Sequence, residues 1–224
     1  MKSKATTRPW FSVRAGSLSL WLGGAALALL VFIRITRELI EGEVGSVDNV
    51  ILGAVAKART PWLTVAAMDV TALGSITLVV LFSAFAFLFL LVLRDRLGAL
   101  QLLAASGGAA LLTVVTKDMI ERIRPEGAQQ LIVVSGFSYP SGHSVATSAV
   151  YLTIAIIAGR HMRHSGAKVA LFIAVSTVVV LVAASRVYLG VHFATDVVSG
   201  ISLDVAWALL LAAFFARLDP RGSA

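Results

Sequence analysis

Long uncharged, apolar stretches limit the folds open to this chain more than any other feature of its sequence. Short clusters of charged or polar residues separate them, and the last contains a single carboxylate, Asp204. An α-helix needs about 20 residues to cross the hydrocarbon core of a bilayer. The sequence therefore predicts an all-α, polytopic membrane protein with six transmembrane helices. The six stretches are 15–33, 70–93, 97–116, 144–159, 169–185 and 197–216, and the short fourth one is expected to extend at its N-terminal side.

The distribution of charge predicts an orientation in the membrane. The chain has 224 residues, a hydrophobic fraction of 58%, a mean hydropathy of +0.90 and a formal net charge of +7. With six spans both termini share one side, and the segments expected on that side carry a large excess of Lys and Arg. Because such an excess marks cytoplasmic loops, we expect both termini in the cytoplasm. The net charge then reflects topology and attraction to anionic lipids rather than binding to nucleic acid.

We expect a single membrane domain over residues 1–224, since no internal repeat stands out. It divides into a basic cytoplasmic tail, 1–14, an external segment, 34–62, and a core, 63–216. The external segment mixes apolar and charged residues at roughly helical spacing, so it is predicted to lie along the membrane surface. A lid over a site and a plain connector are both compatible with this pattern. The absence of cysteine excludes disulfides and thiolate metal sites.

A first polar block, KDMIERIRP, follows the third apolar stretch. Lys117 and Arg124 are seven positions apart, or two helical turns, so they would lie on nearly the same face of a helix that Pro125 ends. Two cations that point the same way can bind an anion. Lys117 taken alone could equally extend its ammonium group to the membrane interface.

The second block, Pro140, Ser141, Gly142 and His143, opens the fourth apolar stretch. A helix start presents unpaired N–H groups and the positive end of the helix dipole, which favours an anion. Gly142 lets an oxyanion approach the backbone, and Ser141 adds a hydroxyl donor. His143 could deliver a proton to a leaving group, although a histidine at a helix start more often satisfies local backbone groups.

The third block, SRVYLGVHFATD, precedes the last apolar stretch. On a helix His192 and Asp196 share one face, so the carboxylate can hold the imidazole in one tautomer and make its free nitrogen a better nucleophile. Arg186 has a planar guanidinium that suits phosphate oxygens, and Gly190 lets the intervening backbone turn. A histidine and an aspartate four apart arise often by chance, so this block alone is weak support for chemistry.

The three blocks fall at the same membrane face when six spans are threaded from a cytoplasmic N-terminus. Three cations, a serine and a helix start can surround the equatorial oxygens of a phosphoryl group. One histidine can then attack while the other protonates the departing oxygen. The sequence therefore predicts a phosphoryl-transfer site at the extracytoplasmic face.

The blocks resemble the signature of the phosphatidic acid phosphatase type 2 superfamily of lipid phosphatases. In this chain they read K-x6-R-P, P-S-G-H and S-R-x5-H-x3-D, with every motif position retained. The resemblance implies a metal-independent phosphatase without a cofactor, working through a phosphohistidine. It implies that His192 is the nucleophile, that Asp196 orients it, and that His143 is the acid for the leaving group. The residues implied in phosphate binding are Lys117, Arg124, Ser141, Gly142 and Arg186.

The substrate is expected to be a lipid phosphate whose head group reaches the outer face of a bacterial plasma membrane. The motifs contact only the phosphoryl group, so undecaprenyl pyrophosphate is favoured slightly, followed by phosphatidylglycerol phosphate and phosphatidic acid. A vanadium-dependent haloperoxidase has a similar site, but six spans speak against it. A transporter or binding protein that holds an anion without turnover is the other alternative. The oligomeric state and the roles of Asp204 and segment 34–62 stay open.

Overall fold

The structure is a computed structural model that describes residues 15–125 and 130–218, and every regular element in these ranges is helical. The predicted all-α class is confirmed, while the basic tail 1–14 lies outside the described residues. A π-helical turn, Ser148–Leu152, joins α6 to α7 without a break. The α-helices are α1 (Ala15–Ile40), α2 (Gly45–Lys57), α3 (Pro61–Ala72), α4 (Ile76–Val92), α5 (Arg96–Ile120), α6 (Gly142–Thr147), α7 (Thr153–His161), α8 (Ser165–Tyr188) and α9 (Ala194–Leu218).

Five helical stretches are long and apolar enough to cross a membrane, and α3 with α4 supplies a sixth if this bent pair is one span. The chain bends by 43° between the axes of these two helices. α4 starts separately because the hydroxyl of Ser75 caps it, accepting the N–H of Leu78 at 3.4 Å. The fourth span covers Gly142–His161, so it extends the predicted stretch at both ends. The prediction of a six-span membrane protein agrees with this architecture.

Helix α9 packs against α1, α5 and α6, and its apolar stretch is among the most buried of the candidate spans. Small residues bring α5 close to it, since Ala105 is buried against Leu211 and Phe215 and a Cβ on Gly108 would lie 2.5 Å from the Trp207 ring. Trp207 donates its indole N–H to the carbonyl of Ala104 at 3.2 Å. Close packing of this kind stabilises helix pairs in lipid, where burial of apolar surface contributes little.

Asp204 lies inside the bundle on α9. Its side chain is 1% exposed, and neither carboxylate oxygen has a hydrogen-bond partner in the described part of the chain. Asp204 comes two helical turns after Asp196 in α9, so it does not take part in the contacts of the third polar block. Its place in the bundle interior keeps a costly polar group away from lipid.

The segment 34–62 is built from parts of three helices, α1, α2 and α3. α1 continues to Ile40, and α2 is a separate helix that follows a turn. α2 buries Asp48 and Leu52 against α8 and α9, where Leu52 shares an apolar cluster with Val187 and Val197. The segment is therefore packed on the bundle itself, at the end where α8 finishes and α9 begins.

The three polar blocks meet at this same end of the bundle. It contains the C-termini of α5 and α8 and the N-termini of α6 and α9. The connection before α6 crosses it and is held by backbone hydrogen bonds. The N–H of Ser138 donates to the carbonyl of Arg122 at 2.7 Å, and the N–H of Ser141 donates to the carbonyl of Asp196 at 3.0 Å. Parts of the chain that are distant in sequence thus form one site.

Candidate active site

His192 and Asp196 form the buried centre of the site. They do not share a helix face as predicted, because α9 begins at Ala194 and His192 lies in the connection before it. Gly190 turns that connection with a φ of 72°, as its position suggested. The two side chains still meet, with His192 Nδ1 3.4 Å from Asp196 Oδ2. His192 is 2% exposed and Asp196 is fully buried.

Three further donors hold the Asp196 carboxylate in place. The hydroxyl of Ser138 donates to Oδ2 at 2.5 Å, and the N–H of Phe193 donates to the same oxygen at 2.9 Å. The guanidinium of Arg122 donates to Oδ1 at 2.6 Å. Since both oxygens are engaged and buried, the carboxylate has one orientation toward His192.

The second imidazole nitrogen, Nε2 of His192, lies 3.0 Å from Nη1 of Arg124. A guanidinium only donates, so Nε2 accepts and the ring proton lies on Nδ1, facing Asp196. Burial lowers the pKa of His192 to about 4, while the hydrogen bond to Asp196 opposes the shift. At neutral pH the imidazole is therefore uncharged, with a lone pair on Nε2.

Helix α5 ends earlier than the spacing of the first block predicted. It finishes at Ile120, and Glu121 caps it in the left-handed conformation with a φ of 49°. The prediction that one helix carries Lys117 and Arg124 as far as Pro125 was therefore wrong. Arg124 lies in the loop that follows.

Lys117 and Arg124 nevertheless converge on the carbonyl of Phe137. Lys117 Nζ donates to it at 2.6 Å, and Arg124 Nη2 donates at 3.1 Å. Arg124 also donates through Nη1 to the carbonyl of Val191 at 2.8 Å. Burial lowers the pKa of the Arg124 guanidinium, and the nearby Asp196 opposes this shift. Loop carbonyls thus hold the two cations side by side next to His192.

The second block begins α6 as predicted, with Ser141 as the N-cap residue. The Ser141 hydroxyl is buried and has no hydrogen-bond partner among the described residues. A Cβ on Gly142 would find its nearest heavy atom, a methyl carbon of Thr113, 3.9 Å away, so the helix start has open space beside it. Free N–H groups, a hydroxyl and space beside the backbone are the features that an oxyanion requires.

His143 and Arg186 complete the site. His143 is half-buried and lies within electrostatic range of Arg186, His192 and Arg124. Arg186 is 2% exposed, and its Nη1 donates to the hydroxyl of Thr71 at 2.8 Å. Its Nε is buried without a hydrogen-bond partner in the part of the chain that the structure describes. The Ser141 hydroxyl and the Arg186 Nε–H are therefore buried donors without an acceptor among the described residues.

Three polar residues of the site were not predicted from the sequence: Arg122, Asp48 and Ser138. Arg122 makes ion pairs with Asp48 and with Asp196, each at 2.6 Å. The doubled arginine in RIRP is a signal that could have drawn attention to Arg122. Asp48 had no comparable signal. It belongs to a distant helix, and nothing in the sequence distinguishes it from the other acidic residues of the same segment.

The fold and the site define a class of protein. It is an α-helical membrane protein in which a buried histidine–aspartate pair and a helix start gather with cations at one end of the bundle. The cations are Lys117, Arg122, Arg124 and Arg186. This arrangement suits phosphoryl transfer or phosphate binding. Within residues 15–125 and 130–218, no three His, Asp or Glu side chains are grouped as ligands for a metal ion.

Comparison with known proteins identifies the family. The model of the PAP2 superfamily matches residues 98–219, which include all three polar blocks. The chain is 36% identical over 190 residues to phosphatidylglycerophosphatase B of Bacillus subtilis (strain 168), with 83% of this chain and 91% of that protein covered. The chain therefore belongs to the PAP2 superfamily, as the resemblance of its motifs implied.

Two solved structures have the same fold. One is a transmembrane PAP2-type phosphatidylglycerolphosphate phosphatase from Bacillus subtilis, with a TM-score of 0.78, 34% identity, and 88% of this chain and 98% of that chain covered. The other is LpxE of Aquifex aeolicus, with a TM-score of 0.54, 25% identity, and 72% and 91% covered. The similarity therefore extends over most of each protein.

Proposed function

We propose that this protein is a membrane lipid phosphatase that removes the phosphate of phosphatidylglycerol phosphate through a phosphohistidine intermediate. The observation that carries the proposal is the buried His192, whose Nδ1 faces Asp196 and whose Nε2 lies among cations. A protein that only binds or transports an anion needs the cations but not the histidine–aspartate pair. The pair therefore favours turnover over the transport alternative.

The phosphoryl group is proposed to bind beside Nε2 of His192. Two buried donors support this position, the Ser141 hydroxyl and Nε of Arg186, since a buried polar group costs free energy until it finds a partner. The cations and the helix start also supply the charge stabilisation that a metal ion provides elsewhere, so we propose a metal-independent reaction. The proposed phosphate-binding residues are Lys117, Arg124, Ser141, Gly142 and Arg186.

In the first step Nε2 of His192 attacks phosphorus, and the bond from phosphorus to the lipid oxygen breaks. His143, in its protonated form, gives a proton to that oxygen, and the lipid alcohol leaves. Asp196 stabilises the positive charge that develops on the imidazole. The product is a phosphohistidine at His192.

In the second step water attacks the phosphohistidine. His143, now neutral, takes a proton from that water, and the bond from phosphorus to Nε2 of His192 breaks. Inorganic phosphate leaves, and both histidines return to their starting states. One histidine thus serves as nucleophile and the other as acid and then base.

Phosphatidylglycerol phosphate is the first substrate to test, because the Bacillus subtilis relative and the solved structure from the same species are both named for it. The sequence alone slightly favoured undecaprenyl pyrophosphate, which remains a candidate together with phosphatidic acid. All three combine a phosphoryl head with tails that stay in the bilayer, so a site at the end of a helix bundle can reach each of them.

We place the protein in a bacterial plasma membrane with both termini in the cytoplasm and the site at the outer face. The support is the distribution of charge, since the end of the bundle opposite the site carries Arg94, Arg96, Arg160, Arg163 and Lys168. An excess of Lys and Arg marks the cytoplasmic side of membrane proteins.

The proposal is tested by measuring phosphate release by the detergent-purified protein in EDTA. The lipids are phosphatidylglycerol phosphate, undecaprenyl pyrophosphate and phosphatidic acid. We expect rapid release from one lipid. His192→Ala should lower the rate on the order of 10⁴-fold or more, since it removes the nucleophile. His164→Ala is the matched control, because this exposed histidine lies at the opposite end of the bundle and its variant should keep the wild-type rate.

Three results would contradict the proposal. Binding of vanadate without phosphate release from any lipid favours a binding or transport protein. Release that EDTA abolishes and Mg²⁺ restores contradicts metal independence. A His192→Ala protein that retains the wild-type rate contradicts the assigned nucleophile.

A further inference from the structure

Asp48 connects the separate helix α2 to the centre of the site. Its side chain is 0% exposed, and both carboxylate oxygens are engaged. Oδ1 accepts the backbone N–H of Thr195 at 3.0 Å, and Oδ2 accepts the Thr195 hydroxyl at 2.5 Å. Thr195 lies in the first turn of α9, directly before Asp196. The carboxylate of Asp48 therefore holds the helix turn that carries Asp196.

Arg122 forms a bridge between Asp48 and Asp196. Its Nη2 donates to Asp48 Oδ2 at 2.6 Å, while its Nη1 donates to Asp196 Oδ1 at 2.6 Å and to the Thr195 hydroxyl at 2.8 Å. The guanidinium carbon lies 4.1 Å from the centroid of the Phe193 ring. With 11% of its side chain exposed, this planar cation is fixed between two buried carboxylates.

The bridge affects the position of Asp196 and the electrostatic field of its carboxylate at His192. Arg122 engages Oδ1, and this leaves Oδ2 facing Nδ1 of His192. Asp48 also pairs with Arg122, so the positive charge of Arg122 is balanced by two carboxylates rather than by Asp196 alone. The field of Asp196 at the imidazole is therefore less offset by Arg122, so Asp196 can better stabilise the positive charge that develops on His192.

We infer that Asp48 and Arg122 are positioning residues of the phosphatase reaction, and that α2 holds the carboxylate that orients the nucleophile. Neither residue contacts the phosphoryl group in the proposed mechanism, so each acts through Asp196. The segment 34–62 then has a role that neither a lid nor a plain connector describes. The inference rests on the proposed function of His192 and Asp196.

The test compares Asp48→Asn with Glu43→Gln in the full-length purified protein. Both changes replace an acid by its amide in the same segment, but Glu43 is exposed. Turnover is expressed per vanadate-binding site, because vanadate mimics phosphate and therefore counts intact sites. For Asp48→Asn we expect kcat to fall about 10- to 100-fold, the range known for outer residues that orient metal-ligating histidines, because Asp48 orients Asp196 in a comparable way. We expect KM within about threefold of wild type, because the phosphate contacts remain, and wild-type values for Glu43→Gln.

A purely structural role for Asp48 would reduce the number of vanadate-binding sites and leave kcat per site unchanged. A kcat per site within about twofold of wild type in Asp48→Asn therefore overturns the inference. No phosphate release by wild type would instead overturn the proposed function. Wild-type release that His192→Ala abolishes, together with an unaffected Asp48→Asn, overturns this inference alone.

Arg122→Lys is the second variant, and it decides the question if Asp48→Asn does not fold. Lysine keeps the charge but lacks the planar fork that reaches both carboxylates, so kcat per site should fall by a similar factor at unchanged KM. A wild-type kcat in Arg122→Lys overturns the inference. If both variants fold, the double variant should lose little more than the worse single variant, because the two residues act as one unit. Fully multiplicative losses contradict the bridge.

Discussion

His192 combines deep burial with three fixed side-chain partners, Ser138 and Asp196 at Nδ1 and Arg124 at Nε2. Desolvation disfavours its charged form, and a proton on Nδ1 leaves the lone pair on Nε2, the nitrogen proposed to attack phosphorus. A nucleophile must be unprotonated to attack, so the low pKa of His192 keeps it in the form that the proposed mechanism requires throughout the neutral range. The same burial has a measurable effect on stability.

We expect the stability of the protein to fall with acidification more steeply in wild type than in His192→Gln. The pKa of His192 is about 4 in the folded protein and near 6.5 in the unfolded chain, so between these values only the unfolded chain binds the proton. Proton binding to the unfolded chain therefore does not lower the free energy of unfolding above pH 6.5. As pH falls from 6.5 to 4, it lowers the free energy of unfolding by about 3 kcal/mol in total. Thermal unfolding in detergent between pH 7 and 5 measures the difference.

The control for this prediction is His164→Gln, which removes an exposed histidine. Its melting temperature should follow the same pH dependence as wild type. Parallel curves for wild type and His192→Gln would contradict the assigned pKa of His192.

Residue identities could be predicted from the sequence, but their partners could not. The motif spacings indicated His192, Asp196 and Arg186 because those residue types suit phosphate chemistry. Arg122 and Asp48 were missed because their roles depend on a contact between α2 and the loop after α5, which are distant in sequence. Local spacing carries no information about such a contact.

Among the helices, the bend between α3 and α4 borders the site. A Cβ on Gly74 would lie 2.6 Å from Val182 Cγ1, 3.0 Å from His143 Cδ2 and 3.2 Å from Thr147 Cγ2. The bend also brings Thr71 to Arg186. A glycine at this position therefore lets the bend pack directly against the proposed proton donor.

We expect Gly74→Ala to lower both activity and stability. The added methyl group would force Val182 or His143 to move, which should destabilise the protein by about 1–3 kcal/mol. A displaced His143 should lower kcat about 10- to 100-fold. Phosphate release and thermal unfolding measure the two effects. Gly23→Ala is the matched control, since a Cβ there meets nothing within 4 Å. Equal behaviour of the two variants would contradict close packing at Gly74.

The ends of helices were the least predictable elements. The end of α5 at Ile120 depends on the left-handed conformation of Glu121, which its residue type does not favour. The start of α9 after His192 depends on Asp196, which accepts the N–H of Phe193. The uncharged apolar stretches indicated the spans, but capping contacts set where the helices stop.

For the whole molecule, the threading of six spans was enough to predict that the three polar blocks meet. Each crossing of the membrane returns the chain to one of two faces, so the number of spans assigns every block to a face. The sequence therefore predicted both the class of fold and the gathering of the site residues at one end of the bundle. The packing of α2 on that end followed from tertiary contacts alone.

The central claim is that His192 carries the phosphoryl group during turnover. The most direct test is a single-turnover rapid quench with excess protein and phosphatidylglycerol phosphate labelled in its terminal phosphate. We expect transient label on the wild-type protein, stable in alkali and lost in acid, and no label on His192→Gln. Complete hydrolysis of the lipid in one turnover, without label on the protein at any time, would contradict the account and point to direct attack by water.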